Sequence, residues 1–351
     1  MLGLPVVWSE SHRLHEPGGE VWIGLRLPPA EVPARADAIR AALEGAGVKF
    51  VDAEPHGDEH VLAVHEAELL EYLAGAWGEW ESAGLPDDPG QDRVVPYVFP
   101  HPGLTEAPAV PTATWARPGY FAFDTMTLIG PGTWEAARAA ADAALTAADL
   151  VLAGAPAAYA CCRPPGHHVT RRAYGGSCYL NNAAAAAARL RSEHGRVAVL
   201  DVDAHHGNGT QSIFWEDPDV LTASVHVDPG AGWFPHYLGF SDEEGGGANR
   251  NVPLAPGTGD VEWVAAVEGL AAWARAGGAS AAVVALGVDA AAGDPESPLD
   301  VTPEGFRAAG RALGSLGVPL VLVQEGGYDL DAIGRLVLET LTGVEEGLAR
   351  G

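Results

Sequence analysis

Apolar residues recur along the second half of the chain in short unbroken runs, each closed by glycine, proline and polar side chains. Val197-Ala198-Val199-Leu200 is the clearest: apolar and partly β-branched without alternation, the pattern of an interior parallel strand buried on both faces. The same reading gives strands over Ala157–Arg163, Val197–Asp201, Val220–His226, Ala281–Gly287 and Pro319–Gln324. Between and after them, helical spacing covers Asn182–His194, Val261–Arg275, Pro303–Leu316 and Leu330–Glu346. Upstream, the segment PVVWSESH reads as a first strand, and Val32–Gly47 has helical spacing ended by a glycine. His60–Trp77 reads as a second amphipathic helix, and Thr133 as the N-cap of an Ala-rich helix running to about Gly154. This alternation predicts an α/β fold, an open parallel sheet doubly wound with helices on both faces.

Polar chemistry gathers where the strands stop. RPPGHH follows the first of the five regular strands, DVDAHHGNG the second, SVHVDPGAGWFPH the third, GVDAAAGD the fourth and QEGGYD the fifth. In open parallel sheets ligands sit beyond the carboxyl ends of the strands, so these five segments are expected to line one crevice.

Asp201, Asp203 and His205 follow one another at intervals of two, so an extended backbone sends their side chains from one face and His206 from the other. An Asp-x-His pair by itself also serves as a loop cap; a metal site needs a third ligand. GVDAAAGD offers two, Asp289 and Asp294. Two carboxylates and one imidazole leave zinc an open position, as catalysis requires, whereas calcium is a poor match for imidazole nitrogen. His167 and His168 are candidate proton carriers, because two prolines and Gly166 fix their approach. Tyr328, on a backbone bare of side chains, is a candidate oxyanion donor. Ser224, His226 and Asn208 read as supports, and Cys178 as a small buried filler rather than a nucleophile.

Composition narrows the classes. A formal charge of −27 over 351 residues excludes electrostatic attachment to nucleic acid or anionic lipid, which needs clustered positive charge. No apolar run approaches the ~20 residues of a membrane span. Three cysteines, without a Cys-x-x-Cys pair or a signal peptide, point to a reducing cytoplasm. No linker or repeat divides the chain, so one domain is expected over residues 1–351, with a long Pro-, Gly- and Asp-rich insertion at about 82–118. That insertion reads as a functional loop or an oligomer contact.

Taken in order, PVVWSESH, the PGTWEAA helix, CRPPGHH, YGGSCYLNN, LDVDAHHGNGTQ, HVDPGAGWFPHYLG, GVDAAAGDP and EGGYD resemble the histone deacetylase and acetylpolyamine amidohydrolase family, bacterial and class II-like. The resemblance implies the arginase-deacetylase fold and zinc-dependent hydrolysis of an acyl–amine bond. It implies zinc on Asp203, His205 and Asp294, and His167 and His168 as tandem general base and acid, supported by Asp201 and Asn208 respectively. It further implies that Tyr328 polarises the acyl carbonyl, that Gly176 offers its carbonyl to the substrate amide, and that a structural potassium lies near Asp201, Asp203, His205 and Ser224.

Departures from the family pattern bear on substrate. Phe234 supplies one aromatic wall, but Ser177 stands where the opposing aromatic is usual, which predicts a wider or differently filled tunnel. Trp115 and Arg117 stand where an acidic loop residue would favour a polyamine, and Val301 is read at a position that is glutamate in polyamine-preferring relatives. The expected activity is therefore deacetylation of an acylated primary amine, an acetyl-lysine peptide or a small metabolite, with acetylpolyamine hydrolysis as the alternative. A catalytically silent acyl-lysine-binding module is the reading from another class, and a homodimer is expected by resemblance.

Overall fold

Every side chain from Ala281 to Leu286 is buried, and successive residues pack into opposite layers: Ala281, Val283 and Ala285 into one apolar core, Ala282, Val284 and Leu286 into the other. A strand covered on both faces has no polar alternation, which is why these runs read as unbroken.

The computed structural model describes residues 2–350. Its strands are β1 (Val6–Trp8), β2 (Glu20–Trp22), β3 (Leu25–Leu27), β4 (Phe50–Asp52), β5 (Ala157–Ala160), β6 (Val197–Asp201), β7 (Val220–Val227), β8 (Asn249–Leu254), β9 (Ala281–Leu286) and β10 (Leu320–Gln324). Its helices are α1 (Ala34–Gly45), α2 (Glu59–Leu62), α3 (Ala67–Ser82), α4 (Pro118–Phe121), α5 (Thr133–Leu152), α6 (Asn182–Arg191), α7 (Asn208–Phe214), α8 (Asp260–Ala276), α9 (Pro303–Gly314) and α10 (Ile333–Leu348). Eight strands form one sheet in the order β4-β1-β5-β10-β9-β6-β7-β8, and every pairing in it is parallel. Helices α3, α5 and α6 cover one face and α1, α8, α9 and α10 the other. The doubly wound α/β arrangement expected from the sequence is the one observed.

Four central strands, β5, β10, β9 and β6, therefore stand side by side, and the loops leaving their carboxyl ends carry His167 and His168, Tyr328, Asp289, and Asp203 with His205. The crevice follows from strand order alone.

Several boundaries differ from the sequence reading. The helix expected over His60–Trp77 is two, because buried His65 interrupts it: its Nδ1 meets the Thr170 carbonyl at 2.8 Å and its Nε2 accepts the Asn181 amide at 2.9 Å. Thr133 is the first helical residue rather than the cap; its hydroxyl accepts the Gly130 amide at 3.0 Å. Beside β2, β3 and α4, which the sequence reading did not mark, β4, β8 and α7 were not legible as strands or helix. β4 is three residues long, β8 reads NRNVPL and is a polar edge strand, and α7 begins within the DVDAHHGNG segment.

β2 and β3 form a separate antiparallel hairpin that leaves Trp22, Ile23 and Leu25 exposed. It is fastened to the 118–130 segment by the Thr125 hydroxyl, which donates to the Val21 carbonyl at 2.6 Å.

Candidate active site and metal centre

At the end of β6 the chain delivers Asp203 and His205 into the crevice, and β9 and β10 make room for them with glycine. A Cβ on Gly287 would lie 2.0 Å from Asp203 Oδ2, and one on Gly326 2.3 Å from Asp289 Oδ2. No side chain fits at either position, so both strand ends must be bare for the carboxylates to converge.

Asp203, His205 and Asp289 form the convergent group, with one ligand atom from each lying within 4.8 Å of the other two. His205 Nδ1 is 3.2 Å from Asp203 Oδ1 and 3.1 Å from Asp289 Oδ2. The remaining oxygens are oriented by backbone amides: Gly326 N–H donates to Asp203 Oδ2 at 2.7 Å, and Ala204 N–H to Asp289 Oδ1 at 2.8 Å. Burial, and then the neighbouring Asp203 charge, push the Asp289 carboxyl up to about 7. Two buried carboxylates that repel one another are stabilised by a cation between them. Donor types and spacing both fit zinc, whose bonds of ~2.0–2.3 Å place tetrahedral ligands ~3.3–3.7 Å apart.

This corrects the expected ligand set. Asp294 is not in the cluster; its Oδ2 accepts the amides of Tyr328 at 2.8 Å and Asp329 at 3.2 Å, and its Oδ1 that of Glu296 at 3.0 Å. The sequence offered both aspartates of GVDAAAGD, and the one adjoining the strand end reaches the histidine.

His167 and His168 are both buried, with ring centres 3.9 Å apart. His167 Nδ1 donates to Asp201 Oδ2 at 2.8 Å and His168 Nδ1 to Asn208 Oδ1 at 2.6 Å, the pairing the resemblance implied. The two rings differ in protonation. Burial pulls His167 down, but the Asp201 and Asp203 charges outweigh it and raise the ring to about 10. Burial and the His167 charge drive His168 well below the usual histidine range, and the neutral Asn208 amide does not reverse this. Paired groups whose environments separate their titrations divide acid and base roles.

Glu325, which sequence reading passed over, sets this pair. Its buried Oε2 accepts the amides of Gly166 at 2.6 Å and His167 at 3.1 Å.

Tyr328 is half-buried, its amide held by Asp294 and its ring beneath the Arg35 guanidinium, 4.6 Å from Arg35 Cζ to the ring centre. Arg35 also donates to the carbonyls of Glu325 (2.6 Å) and Gly327, and Glu31 Oε1 lies 2.9 Å from its Nη1. Burial raises the Tyr328 phenol well above 10, so it stays protonated at neutral pH. Arg35 lies in α1 and Glu31 just before it, about 290 residues away in sequence, and no local pattern marks them.

The aromatic wall opposite Phe234 is Phe123. The rings are 6.2 Å apart and inclined by 22°, and Phe123 packs over Gly175, where a Cβ would be 2.4 Å from its ring. Ser177 takes no part in that stack; its amide donates to Thr127 Oγ1 at 2.8 Å. Gly176 N–H donates to Asp124 Oδ2, and a Cβ there would be 2.2 Å from the His168 ring. The signal for this wall lay in Phe123-Asp124-Thr125, an aromatic ahead of a side chain that caps its own turn.

Val301 does not face a substrate. It is 1% exposed, packed in the core beneath α9, and its amide donates to the Ala290 carbonyl at 3.1 Å. The carboxylate of that loop is Glu296, raised chiefly by burial and next to His205 electrostatically. Glu20, from β2, is raised to about 7 by burial and also by the Glu296 charge. Arg117 has its guanidinium engaged by Glu79 of α3 and lies 5.4 Å from the Tyr72 ring centre, while Trp115 is 52% exposed. A cavity of about 810 Å³ bounded by Asn208, Gln211, Trp215 and Leu238 includes none of the three convergent ligands in its lining.

A histone deacetylase domain model matches residues 29–344. The chain is 42% identical to an acetylpolyamine amidohydrolase of Mycoplana ramosa over 97% of its own length and 99% of the relative's. It is 41% identical to acetylpolyamine amidohydrolase 1 of Pseudomonas aeruginosa over 98% and 99%. The crystal structure of an acetylpolyamine aminohydrolase from Burkholderia pseudomallei superposes with a TM-score of 0.92 at 36% identity, covering 98% of this chain and 99% of that one.

Proposed function

Since the chain belongs to the histone deacetylase family and has its arginase-deacetylase fold, we propose that it is a zinc amidohydrolase that releases the acyl group of an acylated primary amine at Asp203, His205 and Asp289. The observation that carries this reading is His205 Nδ1 lying 3.2 and 3.1 Å from two buried carboxylates, beside a protonated phenol and two histidines of opposite protonation.

Zinc held there supplies Lewis acidity toward the acyl carbonyl and lowers the pKa of water. Tyr328 keeps its proton and donates a hydrogen bond to the oxygen that gains charge. Neutral His168 takes the proton of the attacking water and returns it to the departing amine, and Asn208 fixes the tautomer that leaves its Nε2 free to do so. His167, kept charged by Asp201, stabilises the negative charge that develops beside it. Intact ligands, histidines and phenol argue against a silent binding module.

Within that chemistry, Glu20 and Glu296 favour an acetylpolyamine, because burial raises both carboxyls and the Glu296 charge raises Glu20 further, so ionisation beside a multiply charged amine gains most. Trp115 contributes to the rim and Gly176 offers its carbonyl to the substrate amide. Asp201 and Ser224 border a small void of about 10 Å³, the volume of one small ion or water, which supports a structural potassium beside them; Asp203 and His205 do not border it. Residues 1–351, of which 1 and 351 lie outside the described residues, form one catalytic domain in this reading. The insertion at 82–118 joins the β2–β3 hairpin through Arg26 and Asp92, and exposed Trp22, Ile23, Leu25, Tyr97 and Leu104 are what a second copy would cover in a homodimer. Three unpaired, buried thiols support a reducing cytoplasm. Among the described residues no helix is long and apolar enough to cross a membrane.

Turnover compared across acetylpolyamines, acetyl-lysine peptides and longer acyl-lysines tests the assignment. A kcat/KM at least tenfold higher for the acetylpolyamine supports the reading from Glu20 and Glu296, and a preference for the uncharged peptide removes it.

A further inference from the structure

His167, Cys178 and Glu325 bring one ligand atom each within 4.8 Å of one another, and all three residues are buried. Glu325 divides its oxygens unequally. Oε2 holds the amides of Gly166 and His167, whereas Oε1 is buried without a hydrogen-bond partner. A buried carboxylate oxygen left unpaired costs free energy unless a proton or a cation joins it. Cys178 is unpaired and fully buried, and its Sγ lies 3.3 Å from the Gly176 carbonyl.

We propose that His167, Cys178 and Glu325 form a second site for a zinc-like divalent ion, distinct from the Asp203, His205 and Asp289 centre, and that its occupation inhibits the enzyme. Thiolate, imidazole and carboxylate are the donor set of borderline-soft ions, and tetrahedral zinc needs the three atoms to close by about 1 Å from their widest separation. Binding releases two protons to solvent, the thiol proton, since a coordinating thiol ionises outright, and the one on His167 Nε2, since only a deprotonated ring nitrogen can coordinate. Inhibition follows from a shared atom. Asp201 occupies His167 Nδ1 at 2.8 Å, so the ring nitrogen left for a second ion is Nε2, which lies 3.8 Å from Asp203 Oδ1 and faces the catalytic centre. An ion there occupies the ring nitrogen that faces the catalytic centre and fixes the ring. This consequence rests on the catalytic reading of His167; the existence of the site does not.

Cobalt(II) distinguishes the two sites, because only the second contains sulfur. Metal-free enzyme titrated with cobalt is expected to gain activity with the first equivalent and no thiolate charge-transfer absorption. The second equivalent is expected to bring that near-ultraviolet band and loss of activity. Cys178→Ala should lack the band, bind one metal ion per chain, remain active, and need at least tenfold more zinc for inhibition; Glu325→Gln should weaken the second site while retaining the first. A wild-type titration that reaches two equivalents without the band overturns the site, whatever the variants do. Inhibition of Cys178→Ala at the same excess zinc as wild type overturns its inhibitory role. Activity absent at the first equivalent would instead count against the hydrolase reading, and the presence or absence of the band would still decide the second site.

Discussion

Asp294 Oδ2 accepts the backbone N–H of Tyr328 at 2.8 Å, so the second aspartate of GVDAAAGD positions the phenol while the first, Asp289, reaches His205. The two residues are five apart and chemically identical, yet their replacement should separate two functions. Asp289→Asn is expected to lose zinc affinity by one to two orders of magnitude. Asp294→Asn should keep one zinc per chain and lower kcat at nearly constant KM, since it loosens the Tyr328 loop. Metal analysis beside steady-state kinetics checks both.

Tyr328→Phe and His168→Ala should each reduce kcat by roughly 10²–10³-fold, the scale of losing one oxyanion donor or one proton carrier. Zinc content should be unchanged in both, as neither residue belongs to the metal cluster. Wild-type turnover in either purified variant would remove the role given to that residue.

Glu20, raised to about 7, predicts a pH signature for charged substrates. A polycation favours the ionised carboxylate, so the KM for an acetylpolyamine should fall as pH rises through about 7, while that for an uncharged acetyl-lysine peptide stays flat. Glu20→Gln should abolish the difference.

His65 makes stability acid-sensitive. Its Nε2 accepts the Asn181 amide, which only the neutral ring can do, and burial lowers its pKa to about 4. The folded state binds this proton less readily than the unfolded state, so the contribution is complete above about 6.5 and is lost as pH falls toward 4. The loss over that window is on the order of 3 kcal/mol. Denaturant unfolding at pH 7 and pH 4.5 should show it, and His65→Gln should lessen the slope, with buried His12, His15 and His226, also lowered to about 4, carrying the rest.

The sequence made the sheet and most of the site legible for one reason: β6, β9 and β10 are buried on both faces, so apolar runs mark them and their polar ends stand out. What escaped was fixed by tertiary geometry. Periodicity cannot choose between Asp289 and Asp294 when both follow the same strand. Phe123 and Arg35 reach the site from elements remote in sequence, and β8, an edge strand with Asn, Arg and Pro, lacks the apolar pattern that betrayed its neighbours. Val301 was misplaced because a loop register cannot be counted from the sequence; its amide pairs with the Ala290 carbonyl and turns the side chain into the core.

The central claim is one zinc ion at Asp203, His205 and Asp289 serving acyl–amine hydrolysis. Metal-free enzyme titrated with zinc while acetate release from N-acetylputrescine is followed tests it most directly. Activity should rise linearly to a maximum at one equivalent per chain in the wild type, and stay near background in Asp289→Asn over the same range. Wild-type enzyme that binds one equivalent without releasing acetate from any acylated amine, or equal activity in Asp289→Asn, would contradict it.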